Sequence, residues 1–257
     1  MQFGLMLRAQ FPAGDDMQAR FQELMEQARL ASTLGYSSIT KGMHYSAAPW
    51  QDFQQFPFLC RVMAEAPNLR LNFGLVLLSL HKPLDIAEQI ATADVMSGGK
   101  VIFGVALGYR EVEFLAFGTT QKERVKRFEE NLAAIKRLWT EDAVDMVGSH
   151  FTLDGASVGT RPLQKPHPPI WIGANADPAI RRAARRIAGS ALAPIQIGGC
   201  GFCTGLGEAE APRRVKCEPT MSTVSSVQSR RTASRFSSKR FTRSFWVVPN
   251  ARNSTSR

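Results

Sequence analysis

Residues 96–139 read MSGGKVIFGVALGYREVEFLAFGTTQKERVKRFEENLAAIKRLW. Residues 101–107 form an apolar run of strand length that closes on Gly108, and 111–117 suit a short helix. Over 122–139, Val125, Phe128, Leu132, Ile135, Leu138 and Trp139 recur at helical spacing. Lys122, Glu123, Lys126, Glu130 and Lys136 make the opposite, solvated face of that helix. A strand that ends in glycine, turns and feeds a helix is one β/α unit.

The same unit repeats on either side. Toward the N-terminus lie a strand at 69–78, rich in Leu and Val, and a helix at 83–96 that Ser97-Gly98-Gly99 breaks. Before them come strands at 3–7 and 36–40, with helices at 17–34 and 57–64. Beyond 139, a Pro-rich irregular segment at 162–169 leads to a strand at 170–173 and a helix at 178–187 begun by Asp177. Five strands alternating with helices predict an α/β fold with parallel strands. Two closures fit: an open doubly wound sheet or a (β/α)8 barrel. Periodicity does not choose between them, although no GxGxxG follows the first strand, which weakens the dinucleotide-binding reading. Either fold places its ligand at the C-terminal strand ends, where Gly108 and Gly173 stand.

The 257 residues carry 44% hydrophobic and 21% charged side chains, ordinary values for a folded soluble chain. The net charge of +10 is unusual and points first to an anionic partner such as nucleic acid or a membrane surface. Its distribution removes most of that signal. Residues 1–189 hold 21 Lys+Arg against 19 Asp+Glu, a net +2, whereas 190–257 hold 11 against 3, a net +8. No stretch has the length of a membrane-spanning helix and no secretory leader is visible. Cys60 falls in an apolar helical pattern and reads as a small buried hydrophobe. Nothing implies disulfides, so a cytoplasmic location is the default.

The stretch 96–139 resembles the bacterial luciferase-like family of flavin-dependent monooxygenases. The likeness rests on Gly98, Gly99, Lys100, Gly104, Gly108, Tyr109, Arg110, Glu113, Phe114, Phe117, Gly118, Arg124, Glu129, Leu138 and Trp139. Three more segments agree: His44-Tyr45, the run 78–83 (LSLHKP), and 162–173 (PLQKPHPPIWIG). The likeness covers about residues 1–189. It implies a (β/α)8 barrel that binds reduced FMN at its C-terminal strand ends and uses O2 to oxidise a small organic molecule. A flavin reductase as supplier of FMN and a homo-oligomeric assembly belong to the same implication. Some members use a deazaflavin for hydride transfer instead, so a deazaflavin-dependent oxidoreductase is the alternative.

The resemblance also nominates residues. His44, after the second strand, is the candidate catalytic group, because imidazole can move protons near neutral pH; the bland reading is a hydrogen-bonded loop histidine. Arg110 can clasp a phosphate, or pair with Glu111 or Glu113. Gly108 ends its strand beside the cofactor, and Tyr109 either bonds the ribityl chain or packs at the barrel mouth. Gly173, Ala174 and Asn175 stand where the family has an Ile-Gly-Gly turn against the phosphate, and Ala174 departs from it. Leu78 and Ser79 end the third strand, near a non-proline cis peptide expected to line the flavin ring. Trp50, Phe53 and Phe56 either wall a substrate pocket or pack back onto the fold. Arg181, Arg182, Arg185 and Arg186 read as a solvated helix face, and Trp139 as core.

Past residue 187 the family pattern stops. Residues 190–257 contain 17 Ser+Thr and three of the four cysteines. That composition is expected of disorder, and the abrupt switch is what a reading-frame shift would produce. The expected architecture is therefore an incomplete barrel of about five β/α units (1–189) followed by an irregular basic tail (190–257). Five strands would leave two unpaired sheet edges, with poor solubility and weak flavin binding as the consequence. Cys200-Gly-Phe-Cys203 has no second pair at metal spacing, so no metal site is expected. The Arg/Ser-rich run 230–243 would adhere to nucleic acid only weakly and without sequence preference. A non-catalytic product with an adherent tail is the third reading.

Overall fold

In the computed structural model the described residues are 2–174 together with 195–196, 202–203 and 245–248. Strands β1 (Gln2–Met6), β3 (Ser38–Lys41), β5 (Arg70–Leu77), β6 (Val101–Ala106) and β9 (Ile170–Gly173) are the five expected ones. Helices α1 (Met17–Thr33), α2 (Gln55–Glu65), α3 (Pro83–Met96) and α5 (Arg124–Thr140) alternate with them, and the short α4 (Glu111–Ala116) follows β6. Asp16 opens α1 by accepting from the N–H groups of Gln18 (2.9 Å) and Ala19 (3.1 Å). Gly35 follows α1 at φ +78°, where a side chain is strained. Pro83 takes the first turn of α3, where its missing N–H has no partner to lose. The helix expected at 178–187, with its arginines, and Asn175 lie outside the described residues.

The strand order decides the closure that periodicity left open. β1, β3, β5, β6 and β9 stand side by side in chain order, all parallel. A doubly wound sheet reverses its order at a switch point. A sheet that always advances the same way, with right-handed crossovers, keeps its helices on one face and curls into a barrel. The (β/α)-barrel reading is therefore the right one. β5 and β6 are buried on both faces, which explains their unbroken apolar runs.

The glycines at the centre of the sheet allow unusually close strands. A Cβ on Gly104 would lie 2.8 Å from Gly74 Cα and 2.9 Å from Phe73 O, both backbone atoms that cannot swing away. There the β5–β6 register shifts, between Phe73 and Val76. The one non-proline cis peptide among the described residues joins Gly74 to Leu75. It lies inside β5, upstream of Leu78 and Ser79, where the resemblance had suggested it.

The core runs between sheet and helices. Phe128, Leu132, Ile135, Leu138 and Trp139 of α5 are buried as the spacing predicts, and Trp139 donates from its indole to Ala87 O at 3.0 Å. Burying each such side chain is worth about 1.5–3 kcal/mol. Cys60 is half-buried rather than buried, with its thiol pKa pushed up by desolvation. Phe53 packs back onto Phe11, Phe21 and Phe58, whereas Trp50 is exposed. The sequence reading passed over two small two-stranded sheets. One pairs β2 (Gln10–Phe11) with β4 (Gln51–Asp52); the other is a hairpin of β7 (Val144–Val147) and β8 (Thr152–Ala156).

The two edges of the five-stranded sheet are not open. β10 (Ile195–Gln196) pairs parallel to β9, and β11 (Phe202–Cys203) pairs antiparallel to β10. At the far edge β12 (Phe245–Val248) runs antiparallel along β1. The two-residue strands β10 and β11 are too short to carry a side-chain pattern, whereas the apolar run of β12 (FWVV) is strand-like in composition and was passed over.

Candidate active site at the strand ends

The carboxyl ends of β3, β5, β6 and β9 share one face. The chain surface there is small and apolar, made by Gly42, Leu75, Ala106 and Gly173, each partly exposed. Leu75 lies across Gly173 so closely that a Cβ on that glycine would meet Leu75 Cδ1 at 2.3 Å. A Cβ on Gly42 would find no atom nearer than 3.9 Å, so that corner has room.

A polar cluster rises beside this floor. Gly108, at φ +78°, turns the chain out of β6. Tyr109 then stands exposed, its ring edge-on to His44 with centroids 6.1 Å apart. Glu113, one turn into α4, is fully buried. Its Oε1 lies 3.1 Å from His44 Nδ1 and accepts from the Tyr45 N–H (3.0 Å) and from Arg110 NH1 (3.3 Å). Arg110 also donates to Tyr45 O and Ser46 O, each at 2.8 Å. The guanidinium therefore clasps the His44 loop, and its pairing with Glu113 matches the bland alternative named for it. His44 keeps about a quarter of its side chain exposed.

The loop after β5 is built differently. Leu78 and Ser79 are fully buried in a 3-10 turn (Leu78–Leu80), and the Ser79 hydroxyl donates to Leu107 O at 2.5 Å. Asn131 of α5 donates to Leu78 O (2.8 Å) and His81 O (2.9 Å), and Arg127 to Ser79 O (2.7 Å). His81 lies 3.3 Å from the Tyr45 hydroxyl. Burial pushes its pKa down to about 4, with Asp85 opposing and Arg127 assisting. Burial pushes Tyr45 up to about 12, aided by Asp85 and Glu113.

A cavity of about 320 Å³ opens behind Tyr45 and His81, with Phe56, Asp85 and Phe117 in its wall. Phe56 thus does line a pocket. A second, of about 670 Å³, lies on the far side of His81, against Lys82, Arg127 and His150.

The structure thus brings His44, Gly108, Tyr109 and Arg110 together, with Gly173 across the floor. Ala174 turns its methyl into the hydrophobic core. The sequence had marked Glu113 as one of the residues that carry the family likeness and as a partner for Arg110, but not as the acceptor that joins Arg110 to the His44 loop. The roles of Asn131 and Arg127 were missed because they occupy a helix face that reads as core. Among the described residues no group of three or more His, Cys, Asp or Glu could hold a metal ion. No helix there is long and apolar enough to cross a membrane.

The chain spans about half the length of the curated relatives it matches. It is 35% identical over 109 residues to an FMNH2-dependent dimethylsulfone monooxygenase of Pseudomonas putida, covering 41% of this chain and 29% of the relative. It is 31% identical over 174 residues to an F420-dependent glucose-6-phosphate dehydrogenase of Nakamurella multipartita, covering 65% and 50%. The crystal structure of monooxygenase RslO1 from Streptomyces bottropensis is similar at 29% identity and a TM-score of 0.64, over 73% of this chain and 57% of that one. The model of the luciferase-like monooxygenases matches residues 1–197, past the compositional join at 189 and across every strand end just described. On that match, and on the singly wound barrel that carries it, the chain belongs to the luciferase-like monooxygenase family.

Proposed function

We propose that this chain carries the cofactor face of a monooxygenase that uses reduced FMN and O2 to oxidise a small organic substrate. The observation that carries the reading is the partly exposed, small and apolar set of Gly42, Leu75, Ala106 and Gly173 at the strand ends, with the His44–Tyr109 pair on the loops that follow β3 and β6. A planar ring system would suit such a surface; a side chain at Gly42 would enter its open corner, and one at Gly173 would drive Leu75 out of place. When bound, the reduced flavin supplies the electrons that activate oxygen.

The chain's own residues bind, orient and handle protons. With the flavin bound, Leu75 and Ala106 would hold water away from it on the apolar side of the site, and the exposed Tyr109 would help to hold it. His44 holds or delivers a proton at its ring nitrogen. Leu78 and Ser79 set the path of the β5 loop from below. Arg110 is engaged with the His44 loop, so the backbone at Gly108 and Tyr109 and the segment Gly173, Ala174 and Asn175 would be the residues to hold the phosphate. A reductase that supplies the reduced flavin, a homo-oligomeric assembly and a cytoplasmic location belong to the same proposal.

The F420-dependent relative supports a second reading, hydride transfer with a deazaflavin and no oxygen. One experiment separates them. The full chain is mixed anaerobically with photoreduced FMN or reduced deazaflavin, binding is followed by fluorescence anisotropy, and oxygen is then admitted to an electrode cell. Binding of reduced FMN with protein-dependent oxygen uptake is expected. Binding of the deazaflavin alone, without oxygen uptake, favours the second reading. Failure to bind either overturns both.

A further inference from the structure

Glu113 combines complete burial with uneven use of its two oxygens. Oε1 faces three groups: His44 Nδ1, the Tyr45 N–H and Arg110 NH1. Oε2 is buried without a hydrogen-bond partner. Tying down a backbone N–H needs only a neutral acceptor, and an orphaned oxygen in the interior carries a desolvation cost. The Arg110 guanidinium at 3.3 Å balances part of the carboxylate charge, and the imidazole at 3.1 Å shares the same oxygen.

The two fixed donors decide the hydrogen on His44. A backbone N–H and a guanidinium can only donate, so Oε1 is an acceptor. The ring nitrogen facing it then carries the hydrogen, which makes neutral His44 the Nδ1–H tautomer and leaves Nε2 as the acceptor. The charged and titratable groups facing His44 among the described residues are Glu113, Arg110 and the phenol of Tyr109.

We infer that Glu113 is a positioning residue that holds His44 in the Nδ1–H tautomer, so that Nε2 receives the proton in the reaction. On taking up that proton His44 becomes an imidazolium whose Nδ1–H bond to Glu113 strengthens, and releasing it restores the starting state. The use made of Nε2 rests on the proton-handling role proposed for His44; the tautomer itself does not.

The test needs no flavin. The full chain is labelled with 15N-histidine, and two-bond nitrogen–hydrogen correlations report the tautomer of each of its four histidines. The His44 signals are assigned by their loss in His44→Gln. The Nδ1–H pattern is expected in the wild type. Glu113→Gln, which keeps an acceptor oxygen, should retain it, and Glu113→Ala should shift His44 toward the Nε2–H form that free imidazole prefers. An Nε2–H pattern in the wild type overturns the inference, as does an unchanged pattern in a folded Glu113→Ala chain. If Glu113→Ala does not fold, the wild-type and Glu113→Gln spectra decide. A chain that shows the tautomer yet binds no flavin counts against the proposed function alone.

Discussion

Two neighbouring loops at the barrel mouth each carry a histidine, and they hold it by opposite means. The loop after β3 is held by charge. Lys41 Nζ, buried, pairs with Asp52 at 2.8 Å across the loop, and Arg110 and Glu113 clasp its middle. The loop after β5 is held mainly by donors to backbone carbonyls, from Asn131 and Arg127. His44 stays partly exposed beside a carboxylate, while the half-buried His81 has its pKa pushed down to about 4 by desolvation. The same residue type at adjacent strand ends thus meets two environments: an open one beside a carboxylate and a desolvated one among packed side chains. Burial and the neighbouring charge make the difference.

The largest effect should come from breaking the charged side of this contrast. Lys41→Met leaves Asp52 buried and unpaired, which should cost about 3–5 kcal/mol in urea unfolding. Making Asp52→Leu in the same chain should recover most of that loss, because the pair as a whole gains little over apolar packing. If the single variant is as stable as wild type, the β3 loop is not held by charge.

The neutral side can be tested through acid. The folded pKa of His81, about 4, lies below its ordinary 6.5. Between those values the unfolded chain binds the proton and the folded chain does not, so stability rises with pH there. Stability is complete above pH 6.5 and falls by on the order of 3 kcal/mol as pH drops through about 4. His81→Phe should flatten that slope in urea melts taken across the window. An unchanged slope would show that His81 is not the group responsible.

The smallest effect is at the junction. The Tyr45 hydroxyl, from the first loop, meets His81, from the second, at 3.3 Å. Tyr45→Phe should cost about 0.5–1.5 kcal/mol and leave the tautomer of His44 unchanged. A larger loss, or a change at His44, would mean that the two loops act as one unit.

Legibility in the sequence followed the range of the forces involved. The helices of 1–140 could be read because their faces repeat every 3.6 residues, and Gly35 and Pro83 mark ends with purely local geometry, whereas the Asp16 cap of α1 was passed over. β5 and β6 could be read because strands buried on both faces leave unbroken apolar runs. The hairpin of β7 and β8 could not, since strands of 4 and 5 residues are too short for their in–out alternation to stand out along the chain. At the site, His44, Tyr109 and Arg110 were legible through their motif and their place after strands. Glu113 was not legible as a hub, because its partners lie 68 and 69 positions away.

The sequence by itself determined the element order, the parallel α/β class and the division of charge between 1–189 and 190–257. Those follow from local periodicity and composition, which depend on nothing distant. Only the tertiary structure decided the rest. Strand order chose a barrel over a doubly wound sheet, because hydrogen bonding between strands is invisible to spacing along the chain. The partners of the edge strands were decided in the same way, since which strand pairs with which leaves no mark on spacing along the chain. The unlike environments of His44 and His81 come from which neighbours the fold brings within reach, and desolvation and charge then act on what are otherwise identical side chains.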